Sequence, residues 1–261
     1  GIVMQIIIPM TGYGSRFVAA GYKDLKPLIK VQGKTMLEWI VQGMYSHEDE
    51  FVFVCREQHL EERPWLREYL SQLAPHTVIV SIKNWEKKGP VYDVLKAENY
   101  INKEQPAIIN YCDFYMAWDW EKFKSDVQKN ACDGAVPCYT GFHPNLIPEK
   151  NVYASCQTNN EDFLLEIREK YSFEVDKFKA KHSPGVYYFR TGEIMLKYCQ
   201  KLVDSDENIN GEFYASLPYN FMVQDGLKVW IPCNVEWFCQ WGTPEDMQEY
   251  LFWTDICRRL K

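Results

Sequence analysis

The sequence has no arrangement of cysteine and histidine residues that predicts a zinc site or a disulfide framework. Its nine cysteines are an odd number, and none of them form a Cys-x-x-Cys pair. The nearest pairs, Cys132 with Cys138 and Cys233 with Cys239, do not have the spacing of a zinc knuckle. The five histidines are also scattered along the chain. We therefore expect reduced, buried thiols in a cytoplasmic protein.

Long apolar runs and an excess of positive charge are absent as well. No apolar segment approaches the roughly 20 residues that span a bilayer, and the start of the chain lacks the basic region of a signal peptide. The formal net charge is −7, whereas proteins that bind duplex nucleic acid usually present a basic face. We expect neither a membrane nor a nucleic-acid partner. A small anionic substrate remains compatible with this charge, because a few convergent basic groups suffice to hold it.

Strand and helix patterns alternate in the first half of the sequence. Runs of β-branched and other apolar residues predict strands at residues 5–9, 51–55, 77–81 and 107–112. Amphipathic patterns predict helices between them, at residues 35–45, 58–73 and 91–101. This alternation indicates a parallel sheet wound by right-handed crossovers.

The pattern changes from residue 131 onward, where shorter strand-like pieces lie between turn-rich segments. These pieces predict antiparallel additions to the sheet, at residues 134–139, 152–157, 163–168 and 186–189. Helices are expected at residues 192–203 and 212–224, and a late strand at residues 229–232. Thr243 and Pro244, followed by two acidic residues, are typical of the first turn of a final helix. No repeat or low-complexity linker interrupts the chain, which favours a single domain.

The loop after the first strand carries the strongest functional signal. Residues 9–17 read Pro-Met-Thr-Gly-Tyr-Gly-Ser-Arg-Phe. Gly12 and Gly14 allow the backbone to approach phosphate oxygens, and Arg16 adds a positive charge. Lys26 follows ten residues later and supplies a second cation. A tight turn without a ligand is the alternative for a lone Gly-x-Gly, but the two cations favour a phosphate site.

Two better-known phosphate motifs do not match this region. A dinucleotide-binding fingerprint requires a third glycine at position 17, which is Phe17. A P-loop ending at residues 33–35 requires a glycine at position 28, which is Leu28.

Taken in order, several motifs resemble those of the sugar-phosphate nucleotidyltransferases and their cytidylyltransferase relatives. The resemblance rests on Gly12-x-Gly14-x-Arg16-Phe17, Lys26-Pro27-Leu28-Ile29, Gly33-Lys34, Asn110-Tyr111-Cys112-Asp113, Glu169-Lys170, Gly185-Val186-Tyr187-Tyr188-Phe189 and Trp241-Gly242-Thr243-Pro244-Glu245-Asp246. These motifs extend over nearly the whole chain, so together they are more specific than any one of them.

The resemblance implies an α/β, Rossmann-like nucleotidyltransferase (GT-A-like) fold, with a mixed, mostly parallel central sheet and a small antiparallel lobe on the substrate side. The single domain, residues 1–261, is expected to have a nucleotide-binding half at about 4–130 and an acceptor-binding half at about 131–261. The implied reaction transfers a nucleotidyl group from a nucleoside triphosphate to a phosphorylated acceptor, releases pyrophosphate and uses Mg²⁺ or Mn²⁺. The short form resembles the cytidylyltransferase branch, which implies CTP and a small acceptor such as phosphoglutamine, as in capsular polysaccharide biosynthesis.

The family match assigns roles to residues of this chain. It implies nucleotide binding by the loop and by two residues further along: Met10, Thr11, Gly12, Tyr13, Gly14, Ser15, Gly89 and Asp113. It also implies that Arg16, Lys26 and Lys170 are the catalytic cations. Asp113 has a physical rationale too, because it follows a buried strand at the carboxyl edge of the sheet, where a carboxylate can bind Mg²⁺. A helix N-cap is the alternative role for Asp113.

Two departures from the family pattern leave details open. Many relatives carry a second metal-binding Asp just before the last Gly-Thr, where this chain has Gln240. Glu212 is therefore our candidate for the second metal ligand, the alternative being a carboxylate at the start of a helix. The turn at Gly89 is followed by Tyr92 and Asp93 instead of the family's small residues, so the base remains open among CTP, UTP and dTTP.

Other functions and assemblies remain as alternatives. A nucleotide-sugar glycosyltransferase would need an Asp-x-Asp-like motif, and Asp113-Phe114-Tyr115 lacks the second aspartate. An inert nucleotide sensor is a third hypothesis. Four tryptophans near the expected site, Trp118, Trp120, Trp237 and Trp241, suit either a cage for a quaternary ammonium group or ordinary core packing. The oligomeric state stays open, a homo-oligomer included.

Overall fold

A seven-stranded sheet forms the centre of the fold in a computed structural model, which describes residues 2–12, 14–151 and 153–260. The strands are β1 (Gln5–Pro9), β2 (Lys30–Val31), β3 (Lys34–Thr35), β4 (Glu50–Arg56), β5 (Thr77–Ile82), β6 (Ala107–Asn110), β7 (Phe114–Ala117), β8 (Gly134–Ala135), β9 (Ser155–Thr158), β10 (Leu164–Arg168), β11 (Lys181–His182), β12 (Val186–Phe189), β13 (Val229–Trp230) and β14 (Trp237–Gln240). The helices are α1 (Ser15–Ala19), α2 (Met36–Gly43), α3 (Glu57–Glu62), α4 (Leu66–Gln72), α5 (Pro90–Lys96), α6 (Trp120–Asn130), α7 (Gly192–Ser205), α8 (Pro218–Gln224) and α9 (Pro244–Arg259).

The central sheet has the strand order β13-β8-β12-β6-β1-β4-β5. Strand β1 pairs in parallel with β4 and β6, and β4 pairs in parallel with β5. The only antiparallel partner pairs in this sheet, among the described residues, are those of β12 with β6 and β8. The sheet is therefore mixed and mostly parallel, which confirms the predicted fold class. Three smaller sheets, β10-β9-β11, β14-β7 and β2-β3, complete the strand pairing.

Strand β1 shows why the sheet is covered on both faces. All five of its residues are buried, and side chains alternate between faces along a strand. Ile6 and Ile8 belong to the cluster that contains residues of α2 and α6, whereas Ile7 belongs to the cluster that contains residues of α5, α7 and α8. Each fully buried isoleucine contributes about 1.5–3 kcal/mol. An apolar run without polar alternation thus gives a strand buried between two helical layers.

The four strands predicted in the first half of the chain are confirmed, but the helix predicted over residues 58–73 is two helices. The break falls at Arg63, which has φ −129° and ψ 80°. Arg63 precedes Pro64, whose ring disfavours helical backbone in the residue before it. The chain therefore leaves α3 and begins α4 at Leu66.

The helix predicted over residues 212–224 begins only at Pro218, and five of the observed strands were not predicted. Residues Glu212 and Phe213 instead make backbone hydrogen bonds to other segments, with Ile209 and with Lys88. Two of the unpredicted strands, β7 and β14, pair with each other in antiparallel orientation. The other three, β2, β3 and β11, have two residues each. The strand predicted over residues 152–157 is observed as β9, and Val152 lies outside the described residues.

The side chain of Asn220 on α8 binds the backbone of strand β10. Its Nδ2 donates to the carbonyl of Ile167, and its Oδ1 accepts from the amide of Ile167, both at 2.9 Å. Strand β10 is an edge strand of its three-stranded sheet. Asn220 therefore satisfies both backbone groups of an edge residue.

Three further sequence expectations concern a helix cap, the tryptophans and membrane spans. Thr243 caps α9 as predicted, its Oγ1 accepting from the amide of Asp246 at 3.2 Å. Trp120 and Trp241 are buried in core clusters, which favours packing over a cage. In the part of the chain that the structure describes, every helix is too short or too polar to cross a bilayer.

Candidate functional site

A cleft opens at the carboxyl ends of β1 and β6, where the sequence places its candidate residues. Its lining residues are Pro9, Met10, Thr11, Gly12, Gly14, Lys26, Pro27, Trp85, Lys87, Gly89, Pro90, Asp93, Tyr111, Cys112, Asp113, Glu212 and Tyr214. A second depression shares four of these residues, Gly14, Lys26, Lys87 and Glu212, and adds Ser15, Arg16, Phe17 and Gly242. The shared residues make the two depressions one continuous cleft.

The glycine loop forms one wall of this cleft. The amide of Met10 donates to the carbonyl of Val54 at 2.9 Å, so the loop starts from a fixed point beside β4. Gly14 has φ 59°, and a Cβ atom there would lie 3.2 Å from Cβ of Lys26. Glycine is thus favoured at position 14 by both backbone conformation and space. Arg16 is exposed on α1 and lines the second depression, whereas Tyr13 lies outside the described residues.

Asp113 and Lys26 meet in the cleft. Lys26 Nζ donates to Asp113 Oδ2 at 3.2 Å, and the side chains are 23% and 35% exposed respectively. The carbonyl of Asp113 accepts from the amide of Trp241 at 3.1 Å. A helix N-cap role for Asp113 is wrong, because β7 begins at Phe114. Asp119, six residues further on, does cap a helix: its Oδ1 accepts from the amide of Lys122 at 3.0 Å, at the start of α6.

Gly242 allows Asp113 and Gln240 to lie close together. A Cβ atom at position 242 would be 2.7 Å from Gln240 Nε2 and 3.2 Å from Asp113 Oδ2. Gln240, at the position of the second metal-binding aspartate of many relatives, therefore lies next to Asp113. Its carboxamide contributes no negative charge at this end of the cleft.

Backbone hydrogen bonds between Phe213 and the Gly89 turn position the adjacent Glu212 at the cleft. The amide of Phe213 donates to the carbonyl of Lys88 at 2.8 Å, and the amide of Val91 donates to the carbonyl of Phe213 at 3.1 Å. Gly89 has φ 89°, and a Cβ atom there would lie 2.6 Å from the Phe213 amide nitrogen. Glu212 lies six residues before α8, so its alternative role at a helix start is wrong.

A buried carboxylate lies behind the Gly89 turn. Asp93 on α5 is only 2% exposed, yet it lines the cleft. Its Oδ2 accepts from Thr11 Oγ1 at 2.5 Å, and its Oδ1 accepts from Trp85 Nε1 at 3.1 Å. Burial raises the pKa of Asp93 to about 7, even though these two hydrogen bonds and the charge of Arg56 lower it. The guanidinium of Arg56 stacks over the Trp85 ring, 4.2 Å from its centroid.

Lys170 is the predicted site residue that the structure places apart from the others. It is exposed and follows β10, with φ 52°. The residues that line the cleft, among those the structure describes, do not include it. Its neighbour Glu169 accepts from Ser216 Oγ at 2.6 Å. Burial, followed by the charges of Glu212 and Glu169, raises the pKa of Tyr214, which does line the cleft.

The carboxylates of the cleft suit a magnesium ion. Asp113 and Glu212 both line it, although no group of three His, Cys, Asp or Glu residues within the described ranges could hold a metal. Mg²⁺ is usually bound by one or two carboxylates, with substrate phosphates and water completing its shell. The two carboxylates and the adjacent glycine loop therefore fit that cation.

The sequence assigned no role to several residues of the cleft, among them Trp85, Lys87, Tyr111 and Tyr214. Lys87 lies two residues before Gly89. A positive charge beside a turn that is expected to bind the nucleotide could have been recognised in the sequence. Tyr111 lies inside the motif that ends in Asp113. Trp85 and Tyr214 have no sequence signal, because their places depend on the pairing of distant segments.

Comparison with known proteins supports the architecture. Residues 6–169 match the family model described as the MobA-like NTP transferase domain. The structure resembles the nucleoside-diphosphate-sugar pyrophosphorylase from Vibrio cholerae RC9, with 21% identity, a TM-score of 0.76 and coverage of 95% of this chain and 99% of that one. It also resembles the inositol-1-phosphate CTP transferase from T. maritima, with 16% identity, a TM-score of 0.68 and coverage of 94% and 92%.

A third similar structure is the UDP-glucose pyrophosphorylase from Acinetobacter baumanii, with 16% identity, a TM-score of 0.68 and full coverage, 100% of both chains. No curated protein sequence matches this chain significantly.

Proposed function

Because this chain belongs to the MobA-like NTP transferase domain family, we propose that it transfers CMP from CTP to a small phosphorylated acceptor and releases pyrophosphate. The observation that carries this proposal is the convergence of Lys26, Asp113 and Glu212 on the glycine loop in one cleft. Paired cations and carboxylates beside a loop with exposed backbone suit a triphosphate and its metal ion.

The reaction needs no general base on the protein. The phosphate oxygen of the acceptor is an anion near pH 7, so it can attack the α-phosphorus directly. The bond from that phosphorus to the bridging oxygen breaks, and pyrophosphate leaves with the electron pair. Catalysis then depends on in-line positioning and on stabilising the developing charge.

Each residue has a defined part in this proposal. Arg16 and Lys26 bind phosphate oxygens of the nucleotide, and Lys170 binds the acceptor phosphate. Asp113 and Glu212 hold Mg²⁺ or Mn²⁺, which neutralises the triphosphate charge when it is bound. Lys26 Nζ and Asp113 Oδ2 form an ion pair at 3.2 Å. Lys26 must therefore leave Asp113 when it binds a phosphate of the nucleotide.

The two halves of the chain divide the substrates. We place the nucleotide in the half at about 4–130, with the base near Gly89, and the acceptor in the half at about 131–261. Phosphoglutamine, the substrate of a cytidylyltransferase in capsular phosphoramidate biosynthesis, is the acceptor we favour. The CTP transferase among the similar structures supports a cytidine nucleotide on this fold.

A sugar 1-phosphate with CTP, UTP or dTTP is the second candidate pair of substrates. Two of the similar structures are a UDP-glucose pyrophosphorylase and a nucleoside-diphosphate-sugar pyrophosphorylase, which favours this reading. Glycosyl transfer has less support, because Phe114 and Tyr115 after Asp113 lie in β7 and supply no second carboxylate.

A pyrophosphate-release screen tests the proposal. CTP, UTP, dTTP, ATP and GTP are each mixed with phosphoglutamine, sugar 1-phosphates and other phosphorylated acceptors in the presence of Mg²⁺. We expect release with CTP and one acceptor, and release slower by on the order of 10²-fold from the Asp113→Asn variant. Release that requires UTP or dTTP and a sugar 1-phosphate would establish the second candidate. No release with any pair would contradict nucleotidyl transfer and favour the nucleotide sensor.

A further inference from the structure

The wall of the cleft beside the Gly89 turn contains a carboxylate that phosphate chemistry does not require. Asp93 lies on the first turn of α5, and its neighbours in the cleft are Thr11, Trp85 and Gly89. The loop cations and the Asp113 carboxylate are assigned to the triphosphate in the proposed function. Asp93 is therefore available for another part of the nucleotide.

The hydrogen bonds of Asp93 leave it with acceptor capacity. Above its pKa of about 7 the Asp93 carboxyl is mostly ionised, and an ionised carboxylate is an acceptor only, with about four lone-pair positions on its two oxygens. Thr11 Oγ1 occupies one position on Oδ2, and Trp85 Nε1 occupies one on Oδ1. These two donors also fix the side chain, so the remaining acceptor positions belong to a rigid group in the cleft wall.

A second buried carboxylate in the same protein shows what a purely structural aspartate looks like. Asp49 is 0% exposed and accepts from three donors, the amides of Met4 and Ser46 and the indole Nε1 of Trp120. Asp49 is not part of the cleft lining. Asp93 shares the tryptophan donor and the burial, but it faces a cavity and has one protein donor fewer.

We propose that Asp93 selects the nucleobase by accepting a hydrogen bond from an exocyclic amine. Among pyrimidines, this group distinguishes cytosine from uracil, which has a carbonyl oxygen at the same position. An acceptor opposite that carbonyl would leave two buried oxygens facing each other without a proton, which costs binding free energy. This inference rests on the proposed function, because it requires a nucleoside triphosphate in the cleft.

The position of Asp93 in the turn motif supports a selective role. The family pattern has small residues after the glycine, whereas this chain has a carboxylate that is 2% exposed. Burying a carboxylate costs stability unless it is paired or hydrogen-bonded. With small residues at this position, the base would contact only the backbone. Asp93 adds an acceptor that is fixed in place beside the base.

Binding of CTP and UTP, measured by calorimetry without acceptor at pH 8, where Asp93 is mostly ionised, tests the role of Asp93. The wild-type protein should bind CTP more tightly than UTP by about tenfold or more, a size consistent with one mismatched buried polar pair. In Asp93→Asn the carboxamide offers an N–H group to the base, so the CTP-to-UTP affinity ratio should fall by about tenfold or more. Asp49→Asn is the matched control, and it should leave the ratio unchanged.

The outcomes separate this inference from the proposed function. If Asp93 only holds Thr11 and Trp85 in place, Asp93→Asn weakens both nucleotides equally and the ratio stays constant, which overturns the inference. If neither nucleotide binds to the wild type, the proposed function fails as well. If both bind equally to the wild type and pyrophosphate is still released, the inference fails and nucleotidyl transfer stands.

A measurement on the wild-type protein covers the case in which Asp93→Asn does not fold. The probe is the triphosphate of the 4-unsubstituted pyrimidin-2-one nucleoside, which carries hydrogen where cytosine has its amine. Its affinity should lie between those of CTP and UTP, because it loses the hydrogen bond but places no carbonyl against Asp93. An affinity equal to that of CTP would overturn the inference.

Discussion

Lys26 and Asp113 form an ion pair across the cleft, with Nζ and Oδ2 3.2 Å apart. Lys26 belongs to a short turn after the glycine loop, whereas Asp113 follows β6, 87 residues further along the chain. Neither side chain is fully buried, so the pair contributes little to stability. Its two charges can therefore separate at small cost, Lys26 toward a phosphate and Asp113 toward a metal ion.

We predict that Asp113→Asn keeps the fold and loses metal-dependent turnover. The carboxamide removes the negative charge that holds the cation, and a loss on the order of 10²-fold is expected for one such electrostatic group. Pyrophosphate release at saturating Mg²⁺ measures the effect, and thermal unfolding checks the fold. Activity within tenfold of the parent would remove Asp113 from the site.

We predict that Glu212→Gln raises the Mg²⁺ concentration needed for half-maximal turnover. Glu212 lines both parts of the cleft, and its neighbour Phe213 is fixed to the Gly89 turn by two backbone hydrogen bonds. The substitution leaves those backbone bonds intact, so the variant should be folded. An unchanged Mg²⁺ titration would mean that another carboxylate is the second ligand.

Lys170→Ala should lower turnover with acceptor by on the order of 10²-fold, the size expected for losing one charge-stabilising donor. Affinity for CTP, measured by calorimetry without acceptor, should change little. Lys179→Ala, another exposed lysine, is the control and should leave both quantities unchanged. If CTP binding falls as much as turnover, Lys170 binds the triphosphate. Normal kinetics would leave it as a solvated surface residue.

Two glycine substitutions separate backbone strain from steric overlap. Gly89 has φ 89° and ψ 174°, a region that is nearly restricted to glycine, and an added Cβ would lie 2.6 Å from the Phe213 nitrogen. Gly211 has φ 82° with no atom within 4 Å of its Cβ position. We expect Gly89→Ala to lower the free energy of unfolding by about 3 kcal/mol or more, and Gly211→Ala by about 1–2 kcal/mol. Equal losses in chemical denaturation would contradict the close approach at Gly89.

The buried carboxylate of Asp93 makes the stability of the protein depend on pH. Its pKa is about 7 in the folded protein, mainly because of burial, with Glu212 also raising it and Arg56 lowering it. The pKa of an aspartate in the unfolded chain is about 3.9. Between these values the folded state binds more protons than the unfolded state, so this group makes the protein less stable as pH rises from about 4 to about 7.

Comparison with Asp93→Asn isolates this contribution, because the other titrating groups are shared. Relative to the variant, the wild type should be more stable at pH 5 than at pH 8, by on the order of 2 kcal/mol. Chemical denaturation at the two pH values measures the difference. If the stability difference between the wild type and Asp93→Asn is the same at pH 5 and pH 8, Asp93 is ionised at both pH values.

The sequence predicted the parts of the fold that depend on local pattern. Residues 6–9 are an uninterrupted apolar run, and together with Gln5 they form the fully buried strand β1. Residues 114–117 and 237–240 are short segments rich in aromatic residues, and no local pattern shows that they pair with each other across more than 100 residues. The start of α8 was also missed, because the backbone of Phe213 is bound by Lys88 and Val91 rather than by its own segment.

The same distinction applies to the cleft. Asp113 and the glycine loop could be placed from sequence, because parallel strands bring their carboxyl ends to one edge of the sheet. The hydrogen bond between Thr11 and Asp93 joins residues 82 positions apart, and no local rule predicts it. Lys170 follows a strand of a separate small sheet, so its distance from the cleft depends on how that sheet packs.

The contact between Asn220 and Ile167 has a consequence for the protein in a crowded solution. A side-chain carboxamide presents one donor and one acceptor, as a peptide group of an adjacent strand does. At Ile167 the edge of β10 therefore has no vacant backbone groups to offer a second molecule. Unprotected edges are templates for intermolecular β-sheet and aggregation. Asn220 on the neighbouring helix α8 thus blocks intermolecular strand pairing at Ile167, where the fold has no further strand.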